Sequence, residues 1–344
     1  MAGNTHLGAG TLGNNTTGSY DTAVGFNALN NNQTGSLNTA LGANTLSSNV
    51  NGSQNTATGF NALFTNTADN NTANGFNCLQ SNNSGSSNTA CGSLAMQVNA
   101  GGSFNTASGC EALTNNTSGS FNTAVGFQAM SDSNSGSNNT AVGADALATN
   151  TTGSNNIAIG YQASMDVGMG NFSNNIHIGS VGVANDANSI RVGTPGTQDS
   201  CFLAGVRGVT TNLADAVPVL IDSQGQLGTA NSSLRFKEDI QDMGEASCHL
   251  MRLRPVSFRY EKPFAGGAKP IQYGLIAEEV EEVYPELVAR SADGQVESVK
   301  YQLLPSMLLN ELQRMHKVIL EQSATLLLLQ DRLFTLEKKT GRIA

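Results

Sequence analysis

The stretch NTAVGFQAMSDSNSGSN, residues 122–138, is one copy of a unit that recurs along the first half of the chain. Ten units can be aligned on the motif N-T-A-x-G, and they follow one another in steps of 17 residues, with a single step of 16. A spacing this constant does not arise from biased composition, so it indicates a repeat protein. The third residues of the ten units are His6, Ala23, Ala40, Ala57, Ala73, Ala90, Ala107, Ala124, Ala141 and Ala158.

Each unit carries the same local signals. The T-A-V-G segment alternates like a short strand, and its glycine permits a bend that a Cβ would resist. The following A-L pair supplies a second inward-facing position, and the remaining Asn, Ser, Thr and Gly residues are typical of turns. Strand, bend, strand and turn at fixed length predict one coil of a parallel β-solenoid or β-roll. Stacked asparagines and threonines are expected to form ladders along it.

The interior of such a coil is small. Burial of apolar surface contributes roughly 25 cal/mol per Å², so alanine-sized side chains stabilise each coil only slightly. Stacking of coils and contact between chains must supply the rest. We therefore expect the repeat region to be trimeric.

Charge is distributed unevenly along the chain. Residues 1–230 contain ten acidic residues and only two basic ones, whereas residues 231–344 contain 16 acidic and 15 basic ones. Without a basic face, no nucleic-acid partner is expected. The apolar run TLLLLQDRLF is too short to insert across a membrane. The five cysteines form no CxxC pair and are expected to fill space, so neither a metal nor a cofactor is predicted.

The 17-residue period ends at about residue 194, and this change divides the chain into parts. The segment VPVLIDSQGQLGT, residues 217–229, predicts a hairpin with its turn at Ser223–Gln226. The sequence downstream predicts an α+β domain, because helical runs alternate with short strands and are stopped by Pro255 and Pro285. The predicted parts are a β-roll head over residues 1–194, a β-rich neck over 195–231, a compact domain over 232–304 and a C-terminal helix over 305–344.

The C-terminal helix carries a heptad seam. Nine positions follow the spacing 4, 3, 4, 3 over about four heptads, and eight of them are apolar. So strict a seam favours a coiled coil over packing of the helix on its own domain, and a trimeric head makes three strands the consistent number. The seam consists of Leu308, Leu312, Met315, Ile319, Gln322, Leu326, Leu329, Leu333 and Leu336, with Gln322 as a polar layer.

The repeat units resemble the head repeats of trimeric autotransporter adhesins and of related phage and bacterial tail fibres. In those proteins, A-x-G-x-x-A units coil as a β-roll within a three-chain head. The resemblance covers about residues 1–195, although the unit of 17 residues is longer than the usual adhesin unit. It implies an extracellular homotrimeric fibre, of a virion, an injection system or a bacterial surface. The head would bind a glycan or protein receptor on a cell.

Three motifs downstream, SSLRFKEDI (232–240), YGLIAEEVEEVYPELV (273–288) and SVKYQLLPSMLLNELQ (298–313), resemble the endosialidase-type intramolecular chaperone domain of phage tailspikes and tail fibres. In that family the domain trimerises, helps the preceding fibre to fold, and then cuts itself off at the opening serine. The resemblance covers residues 232 to about 325. It implies a single-turnover serine peptidase that acts on its own chain and on no other substrate.

Carried over by position, the resemblance makes Ser232 the nucleophile and Lys237 the base, with cleavage between Asn231 and Ser232. Ser233 stands where the family usually has Asp, which leaves Ser233 as an alternative nucleophile. Arg235, Gly274 and Glu278 are the expected supporting residues.

The chemistry of such a pair is simple. A serine hydroxyl attacks only when a base takes its proton, and a neutral lysine can be that base. Free lysine has a pKa near 10.4, so the site must favour the neutral amine by desolvation or by a neighbouring positive charge, which Arg235 could supply.

Other interpretations remain open. A purely structural fibre would keep its C-terminal domain, with Ser232 as a helix cap and Lys237 as a surface charge. A tailspike enzyme that degrades a surface glycan would need paired carboxylates beside aromatic side chains, and the ten acidic residues before residue 231 are scattered. A membrane-tethered transcription factor would need a basic DNA-binding region and a spanning helix, and the sequence shows neither.

Overall fold

The structure is a computed structural model that describes residues 3–167, 172–291 and 293–339. Contacts divide the chain into two units, Met1–Ala204 and Gly205–Ala344, and this division falls within the predicted neck. The first unit is a β-solenoid of about eleven coils, which confirms the predicted fold class.

The main sheet of the solenoid contains twelve parallel strands of three residues, ten from the aligned repeat units and two, Ile176–Ile178 and Ile190–Val192, from the segment that follows them. Equivalent residues of successive units pair, so that Ala107 lies between Ala90 and Ala124. The strands are Thr5–Leu7, Thr22–Val24, Thr39–Leu41, Thr56–Thr58, Thr72–Asn74, Thr89–Cys91, Thr106–Ser108, Thr123–Val125, Thr140–Val142, Ile157–Ile159, Ile176–Ile178 and Ile190–Val192.

A second parallel sheet forms in four coils, and it differs from the prediction. The A-L pair lies in a turn instead of a strand, because its leucine has a left-handed backbone, with φ 51° at Leu29 and at Leu113. The second strand begins two residues after this pair. These strands are Thr65–Asn66, Ser81–Asn82, Val98–Asn99 and Asn115–Asn116.

Small apolar side chains and asparagines fill the solenoid. The alanine of each strand and the A-L pair are buried in successive coils. Buried asparagines form the predicted ladders: Asn55 Nδ2 donates to Asn38 Oδ1 at 3.2 Å and to the carbonyl oxygen of Ala68 at 2.9 Å. A second ladder runs through Asn49, whose Nδ2 donates to Asn32 Oδ1 at 2.9 Å. Polar bonds between coils therefore hold a core that contains little apolar bulk.

The stacking of coils requires glycine at particular points. A Cβ on Gly102 would lie 2.2 Å from the carbonyl oxygen of Gly119 in the next coil. A Cβ on the preceding Gly101 would meet nothing closer than 3.6 Å. The two neighbours therefore differ in function: Gly102 sets the spacing of the coils, whereas Gly101 lies in an exposed turn.

The interior becomes polar in the last coils. His177 takes the position that Ala158 occupies in the preceding strand, and its Nδ1 lies 2.6 Å from Ser164 Oγ. Its Nε2 lies 3.4 Å from Asp186, which accepts two hydrogen bonds from Arg191, at 2.6 and 2.8 Å. Burial lowers the pKa of His177; the charge of Asp186 opposes this shift and that of Arg191 adds to it. The Arg191 bonds in turn hold the pKa of Asp186 below its usual range. At neutral pH, His177 therefore lies uncharged in the core of the last coils.

The second unit consists of short elements and one long helix. The predicted hairpin is present as Leu220–Ile221 paired with Leu227–Gly228, and the rest of the described neck forms turns instead of the other expected strands. Two more antiparallel pairs join Val256–Phe258 to Gln272–Gly274 and Val288–Arg290 to Val296–Val299. Helix α1 spans Ala277–Glu281 and helix α2 spans Leu304–Lys339. Short 3-10 turns occupy Met165–Val167 in the solenoid and Leu234–Phe236, Gly244–Ser247, Leu250–Arg252, Pro285–Leu287 and Tyr301–Leu303 here.

The core of the second unit is small. Its buried apolar side chains are Leu250, Val280, Tyr284, Leu287, Val288, Val299 and Met307. Only the start of α2 joins this cluster, through the buried Met307 and the partly buried Leu304, and the later apolar residues of the helix are exposed. None of the helices in the described ranges is both long and apolar enough to cross a membrane.

Candidate active site

Ser232 and Lys237 lie together within the second unit, at the start of the predicted compact domain. A 3-10 turn over Leu234–Phe236 separates them, and it is closed by hydrogen bonds from the amide of Phe236 to the carbonyl of Ser233 and from the amide of Lys237 to the carbonyl of Leu234, each 3.1 Å long. This turn folds the lysine side chain back, so that its Nζ donates to Ser232 Oγ at 3.4 Å. The spacing of five residues thus becomes a direct contact.

Nucleophilic catalysis requires a hydroxyl beside an amine that is neutral and can take its proton. The contact supplies the proximity, with the lysine as the donor. In the single chain, Asn231, Ser232 and Lys237 are all exposed. Water therefore competes for both groups of the pair, and a partner surface would be needed to exclude it.

Ser233 occupies a different place from Ser232. It precedes the 3-10 turn as the N-cap residue, with an extended backbone, and its side chain makes no capping hydrogen bond. The contact from Lys237 is made to Ser232. Neither serine acts as the side-chain cap that a structural interpretation of the motif would predict.

Arg235 lies on the turn between the two predicted catalytic residues. Its guanidinium carbon is 5.0 Å from the centroid of the Phe236 ring, at a distance typical of a cation–π contact. This contact holds a positive charge on the segment that also carries Lys237. Arg235 is exposed, as are both residues of the pair.

The structure shows why position 274 is a glycine. A Cβ at this position would lie 2.8 Å from Tyr301 Oη, which accepts a hydrogen bond from the amide of Leu275 at 2.9 Å. A glycine therefore lets Tyr301 pin the edge of the strand Gln272–Gly274. Tyr301 was not singled out by the sequence, although it lies in the third motif; a tyrosine following a strand gives no signal of its partner.

Glu278 lies in the first turn of α1, where a carboxylate is favourable to the helix dipole. Among the contacts of the described residues, none joins Glu278 or Gly274 to Ser232 or Lys237. The structure thus brings together the two predicted catalytic residues and Arg235, and leaves Gly274 and Glu278 in the neighbouring strand–helix element.

Polar contacts attach the start of α2 to the domain. Ser247 Oγ donates to Glu311 Oε2 at 2.8 Å and accepts from Asn310 Nδ2 at 2.6 Å. Arg314 pairs with Glu311 and with Glu245. These residues, which the sequence alone did not single out, fix the direction in which α2 leaves the domain.

The predicted seam lies on the exposed part of α2. Leu312 is 63 % exposed and Leu326 is 59 % exposed, and the other apolar seam residues are exposed to a similar degree. The exposure is not confined to the seam. Leu309, Val318, Leu327 and Leu328 outside the seam are exposed as well.

Comparison with known proteins identifies the domain that begins at this site. Residues 232–289 match the family model described as chaperone of endosialidase, which is classed by name among the peptidases. No curated protein and no solved structure matches the chain significantly. The matched segment and the β-solenoid before it fit a tail-fibre protein with a C-terminal intramolecular chaperone domain. At the level of the family, the match implies self-cleaving peptidase activity.

Proposed function

We propose that this chain is a homotrimeric extracellular fibre protein whose C-terminal domain assembles three copies and then removes itself by cleavage between Asn231 and Ser232. The observation that carries the proposal is the contact of Lys237 Nζ with Ser232 Oγ at 3.4 Å. Further support comes from the family match, which begins at the same serine.

Assembly into a trimer is supported by what a single second unit leaves uncovered. Seven apolar side chains are buried there, whereas Leu234, Phe236 and Ile240 beside the site are each more than half exposed. The seam of α2 is exposed as well. Three helices joined along the seam would cover it, and association would bring three copies of the site close together.

The proposed reaction uses groups of this chain and water. Ser232 Oγ attacks the carbonyl carbon of Asn231 while its proton passes to the neutral amine of Lys237. The tetrahedral intermediate loses the Ser232 nitrogen, which takes a proton, so the Asn231–Ser232 amide becomes an ester on Ser232 Oγ. Water then hydrolyses the ester. The products are a carboxylate on Asn231 and a free hydroxyl and amine on Ser232.

The trimer would create the conditions that the single chain lacks. Burial of the exposed apolar residues around the site would exclude water from the pair and favour the neutral form of Lys237. The guanidinium of Arg235, and those of the other two copies, would add positive charge. Cleavage would therefore follow assembly, so that the chaperone domain would be released only after the fibre has folded.

Fragment 1–231 would be the product that remains outside the cell, on a virion, an injection system or a bacterial surface. We propose that it binds a cell-surface glycan or protein. Binding of purified residues 1–231, released by the cleavage itself, to an array of glycans and to whole cells would test this part of the proposal. Loss of surface glycan during the assay would instead indicate the tailspike enzyme.

The cleavage is tested by comparing Ser232→Ala with Ser233→Ala. Both serines are exposed and lie beside each other, so Ser233→Ala is the matched control. We expect the wild-type chain and Ser233→Ala to yield fragments 1–231 and 232–344, and Ser232→Ala to stay intact. A Ser232→Ala chain that is cut at the same bond would overturn the assignment, and loss of cleavage only in Ser233→Ala would move the nucleophile to Ser233.

A further inference from the structure

We propose that the outward face of the main sheet is the surface through which the solenoids of neighbouring copies contact one another. This inference rests on the proposed trimer and adds the surface that joins the heads. The face is formed by the first and third residue of each of the twelve strands, whose side chains point away from the core.

The composition of this face is unusual for a surface in contact with water. The first position of the strand is threonine in nine coils and isoleucine in the last three. The third position is most often valine, leucine or isoleucine, as at Leu41, Val125 and Ile159. None of these outward strand residues is charged, whereas a protein surface designed for solubility carries about 25–35 % charged residues.

Aromatic side chains extend the face on both sides of the strands. Phe104 and Phe121, just before the strands, stack with ring centroids 5.0 Å apart, and Phe60 and Phe76, just after them, stack at 5.7 Å. All four rings are about half exposed in the single chain. Ladders of exposed, stacked phenylalanines beside a row of valines and threonines form a continuous apolar strip.

The charges of the solenoid lie elsewhere. Asp69, Glu111, Asp132 and Asp145 belong to the turns and none lies in a strand of the main sheet. This division keeps carboxylates off the face, where contact between copies would bury them at a high free-energy cost.

The size of the strip fits a protein interface. Twelve strands spaced about 4.8 Å apart give a length of roughly 55 Å, and the strands with their flanking aromatic residues are about 20 Å wide. The resulting area of about 1,000 Å² compares with about 800 Å² buried on each partner in a standard interface. Isolated apolar patches on monomers are usually about 300–600 Å².

The periodicity of the strip selects a second copy of this chain as its occupant. Threonine recurs on the face at the first position of nine successive strands, and isoleucine takes that position in the last three, at the fixed spacing of a parallel sheet. A surface that matches such a ladder over twelve strands must have the same spacing, and another copy of the solenoid has it by construction. Three copies with this face directed to a common axis would each cover the strip of their neighbours.

Cys91 gives a direct probe, because it occupies the third position of its strand, on the face, and is exposed in the single chain. The full chain with Ser232→Ala is kept uncut, its mass is measured by light scattering, and maleimide labelling of each cysteine is followed by peptide mass spectrometry. Ser118→Cys, in an exposed turn, is the matched control. We expect a trimer in which Cys91 is labelled at least tenfold more slowly than the cysteine introduced by Ser118→Cys.

The outcomes separate this inference from the proposed function. If the chain is a trimer in which Cys91 is labelled as fast as the control cysteine, the proposed contact face is wrong and the proposed trimer stands. If the chain is a monomer, both proposals are wrong. A monomer with Cys91 protected shows that something other than a second copy covers the face.

A second pair of variants tests the face without introducing a cysteine. Thr89→Lys with Thr106→Lys places charges on two neighbouring strands of the face, and Ser118→Lys with Ser135→Lys places the same charges in exposed turns. We expect only the first pair to open Cys91 to labelling, by tenfold or more, while α2 still holds the chains together. Equal labelling in both pairs would overturn the proposal.

Discussion

The two units of this chain solve the problem of stability in different ways. In the solenoid, each coil completes the next: Asn55 bonds to Asn38, and Ala107 and Leu113 are fully buried. In the second unit, Leu312 and Tyr273 are 63 % and 82 % exposed. The difference teaches that regular repetition along the chain buries a core of small side chains coil by coil, whereas the irregular second unit buries only seven apolar side chains and leaves most of its large ones exposed.

The same comparison explains why the two units would be joined only for a time. A solenoid of many equivalent coils can begin to pair in several registers, because one coil presents almost the same surface as the next. A domain with a unique sequence and a helical seam has one register. In the proposed trimer, such a domain would align the three chains, and it would no longer be needed once their coils had stacked.

The largest effect is expected from removal of the base. Lys237→Gln keeps a side chain of similar length but cannot take the proton of Ser232, so self-cleavage should slow by at least about 100-fold. Lys262→Gln, exposed in the same domain, is the control and should cut at the wild-type rate. The fraction of intact chain is followed by mass spectrometry over days. Equal rates for the two variants would show that Lys237 is not part of the reaction.

The next largest effect should come from a charge in the seam. Leu326→Lys would bury three ammonium groups in a three-stranded coiled coil, and a cost of about 3 kcal/mol would weaken association by about 100-fold. Gln330→Lys, one turn further along and exposed, should leave the trimer unchanged. Sedimentation at micromolar concentration distinguishes them. A Leu326→Lys chain that remains a trimer would break the comparison, because the second unit would then not depend on its helix.

The solenoid should respond to a single methyl group. Gly102→Ala places a Cβ 2.2 Å from the carbonyl oxygen of Gly119, and separating the coils should cost about 2–3 kcal/mol. Gly101→Ala has ordinary contacts and should change the free energy of unfolding by no more than about 0.5 kcal/mol. Urea unfolding of both variants in the Ser232→Ala background measures this. Similar values for the two glycines would mean that the coils do not stack as described.

The smallest effect concerns the polar end of the solenoid. Because folding lowers the pKa of His177, the unfolded chain binds a proton more readily, and stability is lost as the pH falls below about 6.5. Amide hydrogen exchange of residues 157–192 should therefore quicken between pH 7.5 and pH 5.5, after correction for the intrinsic rates. His177→Gln should abolish that change, and His316→Gln, exposed on α2, should keep it. If the exchange rates of the wild type do not change with pH, protonation of His177 does not determine the stability of residues 157–192.

The sequence was sufficient for the architecture of the solenoid and for its register, because a 17-residue period leaves one way to stack equivalent residues. It was insufficient for the path inside each coil. Leucine rarely adopts the left-handed backbone conformation, so the A-L pair does not predict that Leu29 and Leu113 lie in turns. The second strand was consequently expected too early in the coil.

In the candidate site, too, the sequence predicted the local features and not the contacts between distant residues. The spacing of Ser232 and Lys237 was available from the motif, and the 3-10 turn that joins them follows from local geometry. The contact of Tyr301 with Leu275 and the attachment of α2 through Ser247 and Glu311 link residues that are far apart in the sequence. Such pairs have no local pattern, so a single sequence does not reveal them.

The central claim is that assembly by the C-terminal domain precedes cleavage between Asn231 and Ser232. The most direct test separates trimer and monomer fractions of the wild-type chain and follows the intact masses in each with time. The account predicts that fragments 1–231 and 232–344 appear in the trimer fraction, with Ser232 as the new N-terminal residue, while the monomer stays uncut. A chain that remains intact as a trimer, or that is cut equally fast as a monomer, would contradict it.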